Sequence, residues 1–519
     1  MRQTLRRSCA TCAKSKHSCD LRTPRCSRCL KREVQCVYVN EPLTAPPAAP
    51  TQEDGGLITD YRLGSLDPFD SYPQTRLPRK HVERLIHSFL HKIAFQYYPL
   101  DLSATSNPFL ISWWPLALGD PALFHVSLQT ASLDEELLAQ KGFQTSELLM
   151  ADSVALVRRK IEDVSLAVQD GTINSVITLA TIEFGKGNIN VAEMHVDGVK
   201  RLVSMRGGIN SVRQSSPLTA RMVSWVSMII MGHPQFETQD DFGIGDGIPP
   251  IPEWQLDSAA HCGHFCELSI DLDYTVRNVF IRLRNVFQRA QRTSFPTTRL
   301  HDLTCFVIHR LLLSASDTAN PQPSPVTECI RYATILYMFI IQGPTYYSHA
   351  VIFNSIVTRF MERLKQLEST PRVCDSLALW LLTIGMVSST STTRYQWFME
   401  RAQAMSTPLQ LGNWDDVLVR IKSALWLETP QCEDIFRPHW DAILSAEDLP
   451  GPPGFTACVS PSSTGVGFPW DIISPASLVL GSPGSIMPSS ASMFTKDDST
   501  PSTPPSRLQI ETHRYDQYD

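Results

Sequence analysis

Six cysteines in the first 36 residues restrict what this chain can fold into more than any other feature of it. Two halves share the spacing C-x2-C-x6-C and stand six residues apart: Cys9, Cys12 and Cys19, then Cys26, Cys29 and Cys36. Zinc prefers four tetrahedral ligands, and thiolate is among its favoured donors. Six thiolates can hold two zinc ions if two sulfurs bridge, because each metal then has four ligands. The pattern therefore predicts a two-zinc scaffold.

The charge of this segment points to a polyanionic partner. Residues 1–40 hold ten Lys or Arg against Asp20 and Glu33, a net +8, so the other 479 residues carry −14 of the total −6. A basic head on an acidic body is typical of binding to nucleic acid. The basic residues also offset the −2 that six thiolates and two zinc ions would leave.

The apolar stretches favour a soluble, intracellular chain with no membrane partner. The N-terminus is polar and basic, unlike a secretory signal. The longest apolar stretches, residues 332–341 and 377–387, have about half the ~20 residues that span a bilayer, so they predict buried helices. Because intracellular thiols stay reduced, clustered cysteines are better interpreted as metal ligands than as disulfides.

Composition divides the chain into four segments. Residues 1–40 form the cysteine-rich head, and residues 41–78, with seven prolines, form a linker. Residues 79–447 form a body in which apolar residues recur at helical spacing, without strand-like alternation, which predicts an all-α fold. Residues 448–519 are rich in Ser and Pro, which predicts a disordered tail.

The helical pattern in the body is clearest in ten segments. Helices are expected to begin near residue 79 and to recur near residues 147–168, 172–184, 191–205, 217–231, 275–290, 299–316, 326–341, 349–367 and 375–387. A further pattern joins Trp414, Leu418, Ile421 and Leu425. Gly207-Gly208 is expected to end the helix before it, because glycine permits the left-handed conformation.

The head resembles the fungal binuclear Zn2Cys6 cluster DNA-binding domain. Beyond the cysteine spacing, the resemblance rests on Pro24, on the segment PRCSRCLKR and on Tyr38. It implies that Cys9 and Cys26 bridge two zinc ions. It also implies that Cys12 and Cys19 complete one site, and that Cys29 and Cys36 complete the other. A zinc knot with only a folding role and a redox sensor are less favoured, because basic residues are expected on the helix after Cys12.

The resemblance also implies how double-stranded DNA is read. A helix after a C-x2-C turn can enter the major groove, where Lys or Arg donates to guanine O6 and N7. Lys16 matches the family's base-reading lysine for a CGG triplet, and Lys14 and His17 are neighbours that can help. The remaining cations are interpreted as phosphate contacts: Arg6, Arg7, Arg25, Arg28, Lys31 and Arg32.

The first half also departs from the family pattern. Ala13, Ser15 and Ser18 stand where basic residues are common in the family. Fewer cations release fewer counterions, so we expect modest affinity and a shallow salt dependence. No heptad repeat follows the head, so the chain is expected to bind as a monomer or to dimerise through its helical body.

The body resembles the fungal-specific transcription factor regulatory domain. The resemblance rests on residues 107–128, 194–208 and 414–444, and implies a regulatory role. In the tail, Phe468 and Trp470 lie near Asp471 in a Ser/Pro-rich background. Such a segment can fold on a coactivator, and a plain disordered tail is an equal alternative.

No motif in the sequence indicates an enzyme. The segment HCGHFC at residues 261–266 is too crowded for an ordinary tetrahedral metal site, and nucleophile-elbow, zinc-protease and phosphate-loop motifs are absent. The favoured interpretation is a nuclear, zinc-dependent, sequence-specific transcription regulator of the RNA polymerase II type. The alternative is a zinc-cluster cofactor or repressor that acts through protein contacts.

Overall fold

The described part of the chain is helical, which confirms the all-α prediction there. The computed structural model describes residues 10–17, 27–34, 36, 72–97, 103–140, 142–256, 272–290, 296–314, 324–367 and 374–445. In these ranges the strand-type pairing is one isolated bridge between Thr238 and Ile248. The predicted tail and most of the predicted linker lie outside them. The domain boundaries at residues 40, 78 and 447 stay predictions.

The head contributes two short helices, and the first part of the body follows them. The head helices are α1 (Ala10–Lys14) and α2 (Ser27–Lys31). The first part of the body comprises α3 (Arg79–Ser88), α4 (Ala94–Tyr97), α5 (Trp114–Gly119), α6 (Pro121–Ala139), α7 (Gln144–Ile161), α8 (Val164–Ala167), α9 (Asp170–Gly185), α10 (Ile189–Met205), α11 (Gly208–Ser215) and α12 (Pro217–Met231). Five-residue π-helical segments, Phe89–Ile93 and Phe109–Trp113, precede α4 and α5.

Helix α9 is the centre of this first part. It packs against α6, α7, α10 and α12. Nearly every one of its side chains is buried, from Gly171 to Gly185. A helix that is buried on all sides needs neighbours around it, and α9 has them.

The second part of the body is built around α16. Its helices are α13 (Pro252–Gln255), α14 (Tyr274–Ala290), α15 (Thr297–Leu313), α16 (Pro325–Gln342), α17 (Ala350–Leu367), α18 (Asp375–Ser388), α19 (Tyr395–Ser406), α20 (Trp414–Ala424) and α21 (Pro430–Ser445). Every residue from Val326 to Gln342 is buried, and α18 is buried from Leu379 to Ser388. Both long apolar stretches are therefore buried helices, as predicted. None of the described helices has the length and apolar character needed to cross a membrane.

Two helix ends differ from the periodicity-based prediction. The helix expected over residues 147–168 is two helices, because Asp163 leaves the helical conformation and accepts a hydrogen bond from the backbone N–H of Ser165 at 2.8 Å. Leu425 was expected on α20, but it is extended and lies just past the helix end at Ala424. Gly207 is left-handed, with φ of 97°, between α10 and α11, as expected.

Two large apolar clusters in the described body share α12, and a small third cluster joins Leu133, Leu137 and Ile182. The N-terminal cluster runs from Val82 to Ile230, and the C-terminal cluster runs from Trp225 to Ile443. Helix α12 gives Val226 and Ile230 to the first cluster, and Trp225 to the second. Shared burial on two sides of one helix couples the two clusters.

A segment of the second part also enters the N-terminal cluster. Tyr346 and Tyr347, which follow α16, are buried among its residues. The hydroxyl groups of Tyr347 and Tyr97 lie 2.7 Å apart, and the rings of Tyr346 and Tyr97 stack with centroids 5.3 Å apart. The first part is therefore completed by residues that lie more than 100 positions further along the chain.

Candidate zinc-cluster and DNA interface

Two short helical turns form the described part of the head. Helix α1 contains Cys12, and helix α2 contains Cys29, each the second cysteine of its C-x2-C pair. Their exposed fractions are 2% and 1%, although both helices are only five residues long. Cysteine sulfurs held inside so small an element suit zinc, which supplies the folding free energy that a tiny apolar core cannot.

Both helices end in the same hydrogen-bonded turn. After α1, Lys16 is left-handed with φ of 52°, and the backbone N–H of His17 donates to the carbonyl of Cys12 at 2.9 Å. After α2, Glu33 has φ of 53°, and the N–H of Val34 donates to the carbonyl of Cys29 at 3.2 Å. This is the Schellman arrangement, with a non-glycine residue at its left-handed position. The sequence repeat is therefore also a structural repeat.

The helix end corrects the expected position of two residues that are predicted to contact DNA. Lys16 and His17 were expected on a helix after Cys12, but α1 ends at Lys14 and both residues lie in the turn beyond it. The physical reason is the left-handed backbone of Lys16, which reverses the chain direction at the helix end. No glycine marks this position, so composition gave no signal for it.

The two turns present different side chains to solvent. In the first half, Lys14, Lys16 and His17 are exposed. In the second half, the cations Arg28, Lys31 and Arg32 are also exposed. The turn residue, however, is Lys16 in one half and Glu33 in the other, so equivalent positions carry opposite charges. Aligning the two cysteine repeats would have revealed this contrast from the sequence.

The two halves of the head also differ in their exposed apolar side chains. Leu30 on α2 is 60% exposed, and Val34, just past the left-handed Glu33, is 37% exposed. The exposed described residues of the first half, residues 14–17, contain no large apolar side chain. The first turn is polar and cationic, whereas the second combines cations, an anion and two aliphatic side chains.

Half of the predicted metal ligands lie outside the described residues. These are Cys9, Cys19 and Cys26, and the cations Arg6, Arg7 and Arg25 lie outside them too. Cys36 is described and is partly exposed. Among described side chains, no three from His, Cys, Asp or Glu gather at a point that could hold a metal. The HCGHFC segment is likewise outside the described residues.

Comparison with known proteins finds two families in the chain. Residues 7–45 match the fungal Zn(2)-Cys(6) binuclear cluster domain, and residues 84–232 match the fungal specific transcription factor domain. The second match coincides with the N-terminal cluster, from Val82 to Ile230. No curated protein and no solved structure matches the chain.

These matches define the class of the protein. The head matches a binuclear zinc cluster domain, a domain that binds two zinc ions and DNA, and both expected resemblances are confirmed. The second is confirmed over residues 84–232, a range that does not include residues 414–444. The two matched domains support a fungal transcription regulator with a DNA-binding domain.

Proposed function

We propose that this chain is a zinc-dependent, sequence-specific regulator of RNA polymerase II transcription that reads CGG-like triplets in the major groove. The observation that carries the proposal is the turn after α1, which holds Lys16 exposed at a fixed left-handed position. A lysine ammonium can donate to O6 and N7 of guanine. Glu33 at the equivalent position of the second half would repel DNA, so the first half is the reading half.

The proposed metal ligands are the six cysteines of the head. Cys9 and Cys26 would bridge, Cys12 and Cys19 would complete one site, and Cys29 and Cys36 the other. The burial of Cys12 and Cys29 supports this assignment, because a ligand sulfur must lie away from water and close to its metal. Zinc would fix the two turns relative to each other, so that Lys16 meets DNA in one orientation.

The proposed phosphate contacts supply affinity without sequence information. Arg28, Lys31 and Arg32 are exposed, as that role needs. Because Ser15 and Ser18 replace cations, we expect log K to fall with log salt less steeply than in members with a fuller basic helix. Binding of the full chain to a CGG duplex at several salt concentrations checks this, and a steep slope contradicts it.

Selection from random duplexes tests the proposed sequence specificity. The full chain, loaded with zinc, is incubated with a random-sequence library and the bound duplexes are sequenced over several rounds. We expect CGG-like triplets to be enriched, and their number and spacing would report monomer or dimer binding. A bound pool with no enriched triplet contradicts sequence-specific reading.

A second candidate function rests on the exposed apolar pair. Leu30 and Val34 on the second turn favour a role in which the head contacts another protein, as a cofactor or repressor. In that case the selection gives no enriched triplet, and replacing both residues by Ser abolishes partner capture. In the favoured function the same replacement leaves the selected triplet unchanged.

The remaining partners are also proposals. Nuclear localisation follows from the proposed function. Because no heptad repeat follows the head, a homodimer would form through the helical body. A coactivator at the tail accounts for Phe468 and Trp470 beside Asp471. A reporter fusion of residues 449–519 checks the last of these, and absence of activation contradicts it.

A further inference from the structure

Two histidines meet on the exposed face of the first helix of the body. His87 lies in the last turn of α3, and His91 lies in the π-helical segment Phe89–Ile93 that follows it. Residues four apart on a helix project from the same face. The centroids of the two imidazole rings are 4.3 Å apart, with the ring planes tilted by 33°. Both side chains are exposed, so an ion from solvent can reach the pair.

The ring nitrogens of this pair are available to a ligand. Neither imidazole makes a hydrogen bond or an ion pair with another residue in the described part of the chain. By contrast, Nδ1 of His125 donates to the carbonyl of Pro121 at 2.7 Å. Nδ1 of His309 donates to the carbonyl of Cys305, also at 2.7 Å. A neutral imidazole has one nitrogen lone pair, so the exposed pair offers two donor atoms to a metal ion.

The cations beside the pair are paired with carboxylates of α6. Arg84 lies 3.0 Å from Glu135, and Lys92 lies 2.5 Å from Asp134, measured between nitrogen and oxygen. Their positive charges are therefore offset locally, and a divalent cation at the histidines meets little net repulsion.

One carboxylate also lies on the same face of α3. Glu83 stands one turn before His87, and it accepts a hydrogen bond from Nε of Arg79 at 2.6 Å. Among the described residues, no third His, Cys, Asp or Glu gathers with the two histidines at one point. The pair therefore supplies two protein ligands, and water would take the other positions on the ion.

The change of helix type between the two histidines is a second, independent observation. The α-helical hydrogen bonding of α3 ends at Ser88, and the π segment begins at Phe89. Short π segments inside helices are rare and frequently lie at functional sites. Phe89 and Ile93 of this segment are buried, and the segment packs against α6, so its exposed face is held in place.

We propose that His87 and His91 form a site for a divalent transition-metal ion on the body, separate from the zinc cluster of the head. Imidazole nitrogen suits Zn²⁺, Ni²⁺ and Cu²⁺. The ion would join the last turn of α3 to the π segment and so stabilise the start of the body. This site lies within the range that matches the fungal specific transcription factor domain, and it goes beyond DNA binding by the head.

Calorimetric titration of the full chain with Ni²⁺ tests the site. The chain is first loaded with zinc, so that the head is complete, and its zinc content is measured again afterwards. We expect a saturable nickel-binding phase with unchanged zinc content. An excess of Mg²⁺ should not compete, because Mg²⁺ prefers oxygen ligands. Absence of a nickel-binding phase, or full competition by Mg²⁺, overturns the proposal.

Matched variants assign the nickel-binding phase to the pair. H87Q and H91Q keep an exposed polar side chain that suits a helix. Each should weaken the phase by about tenfold or more, because the second imidazole binds at the high effective concentration that its tether sets. H233Q is the control, since His233 is also exposed and lies outside α3. An undiminished phase in H87Q or H91Q, or an equal loss in H233Q, overturns the assignment.

Binding to a CGG duplex distinguishes this proposal from the proposed function. Zinc-loaded H87Q and H91Q should bind the duplex as the native chain does, because the pair lies outside the head. Nickel held elsewhere in the chain, for example by cysteines, is the same in every variant and cancels in the comparison. Failure of the nickel site would therefore leave DNA reading by the head untouched.

Discussion

At the residue scale, Lys16 combines two roles that can be separated. It carries the proposed base-reading ammonium, and it holds a left-handed backbone conformation that most residues disfavour. Asparagine tolerates this conformation better than alanine does. Lys16→Asn therefore removes the ammonium with little backbone strain. We expect Lys16→Asn to weaken binding to a CGG duplex by about 1–3 kcal/mol while zinc content stays unchanged, measured by fluorescence anisotropy and metal analysis.

Glu33→Asn is the matched control for that change. It places the same residue in the same backbone conformation of the second half, with φ of 53°. We expect it to leave binding unchanged or slightly stronger, because it removes an anion near DNA. Equal weakening by both variants would mean that the turns are only structural. Lys16→Ala is a second test of the ammonium, because lysine and alanine both carry a Cβ in the left-handed conformation and so have a similar backbone cost.

Much of this residue-scale account was predictable from sequence. The cysteine spacing identified the two-zinc domain, and the repeat aligns Cys12 with Cys29. The end of α1 at Lys14 was not predictable, because left-handed turns are usually marked by glycine and this one is occupied by Lys16. The ion pair of Arg213 on α11 with Asp302 on α15 was not predictable either, since it joins residues 89 positions apart.

At the element scale, Asp120 starts α6 and ties it to α7. Its Oδ1 accepts hydrogen bonds from the backbone N–H of Ala122 at 3.0 Å and of Leu123 at 3.3 Å. Its other oxygen pairs with Lys160. Asp120→Ala should lower the free energy of unfolding by about 1–2 kcal/mol through loss of the cap. Asp120→Asn keeps a capping oxygen and should cost less, as urea denaturation measures. Equal costs would show that the cap contributes little.

The segment after α16 gives a second prediction at this scale. Tyr347→Ala should lower the free energy of unfolding by about 3–5 kcal/mol, because it leaves a cavity in the N-terminal cluster. Tyr347→Phe keeps the ring and loses the hydroxyl pair with Tyr97, so it should cost about 0.5–1.5 kcal/mol. Urea denaturation of the full chain measures both. A small cost for Tyr347→Ala would show that the segment is not part of this core.

Helix positions followed from periodicity where one face of the helix is exposed. The pattern over residues 275–290 matches α14, and that over residues 349–367 matches α17, each to within one residue. Periodicity did not predict the break between α7 and α8, because the apolar pattern continues through Asp163, which caps α8. Helix α6 lacked a clear period, since it is buried on nearly all sides from Ala122 to Asp134.

At the scale of the whole molecule, buried histidines make stability depend on pH. Burial lowers the pKa of four histidines from 6.5 to about 4: His301, His309, His349 and His439. They stay neutral in the folded state while the unfolded chain protonates them below pH 6.5. Their contribution is therefore fully present above pH 6.5 and is lost as pH falls towards 4. Each should lower stability by up to about 1.4 kcal/mol per pH unit in that window.

Urea denaturation at pH 7 and pH 5 measures this dependence. Unfolding at pH 5 should be accompanied by proton uptake, which calorimetry in buffers of different ionisation enthalpy reports. Equal stability at the two pH values, with no proton uptake, would contradict neutral burial of these histidines. The sequence alone did not single them out, because their burial comes from packing between helices distant in sequence.

Metal removal should affect the head and the body differently. A chelator should abolish DNA binding, because the head depends on zinc for its folding free energy. The body should keep its helical circular dichroism, since its two large clusters are held together by packed apolar side chains. Broad loss of helicity on chelation would contradict this division.

The contact between the clusters through α12 could not be predicted from the sequence, because burial on two sides of a helix is set by long-range packing.

The most direct test of the central claim is equilibrium binding of the full chain to two duplexes of equal composition. One contains a CGG triplet and the other a permuted triplet, and anisotropy is recorded with zinc and after chelation. We expect tighter binding to CGG with zinc, loss of that preference after chelation, and its return when zinc is restored. Equal affinity for both duplexes in the presence of zinc would contradict it.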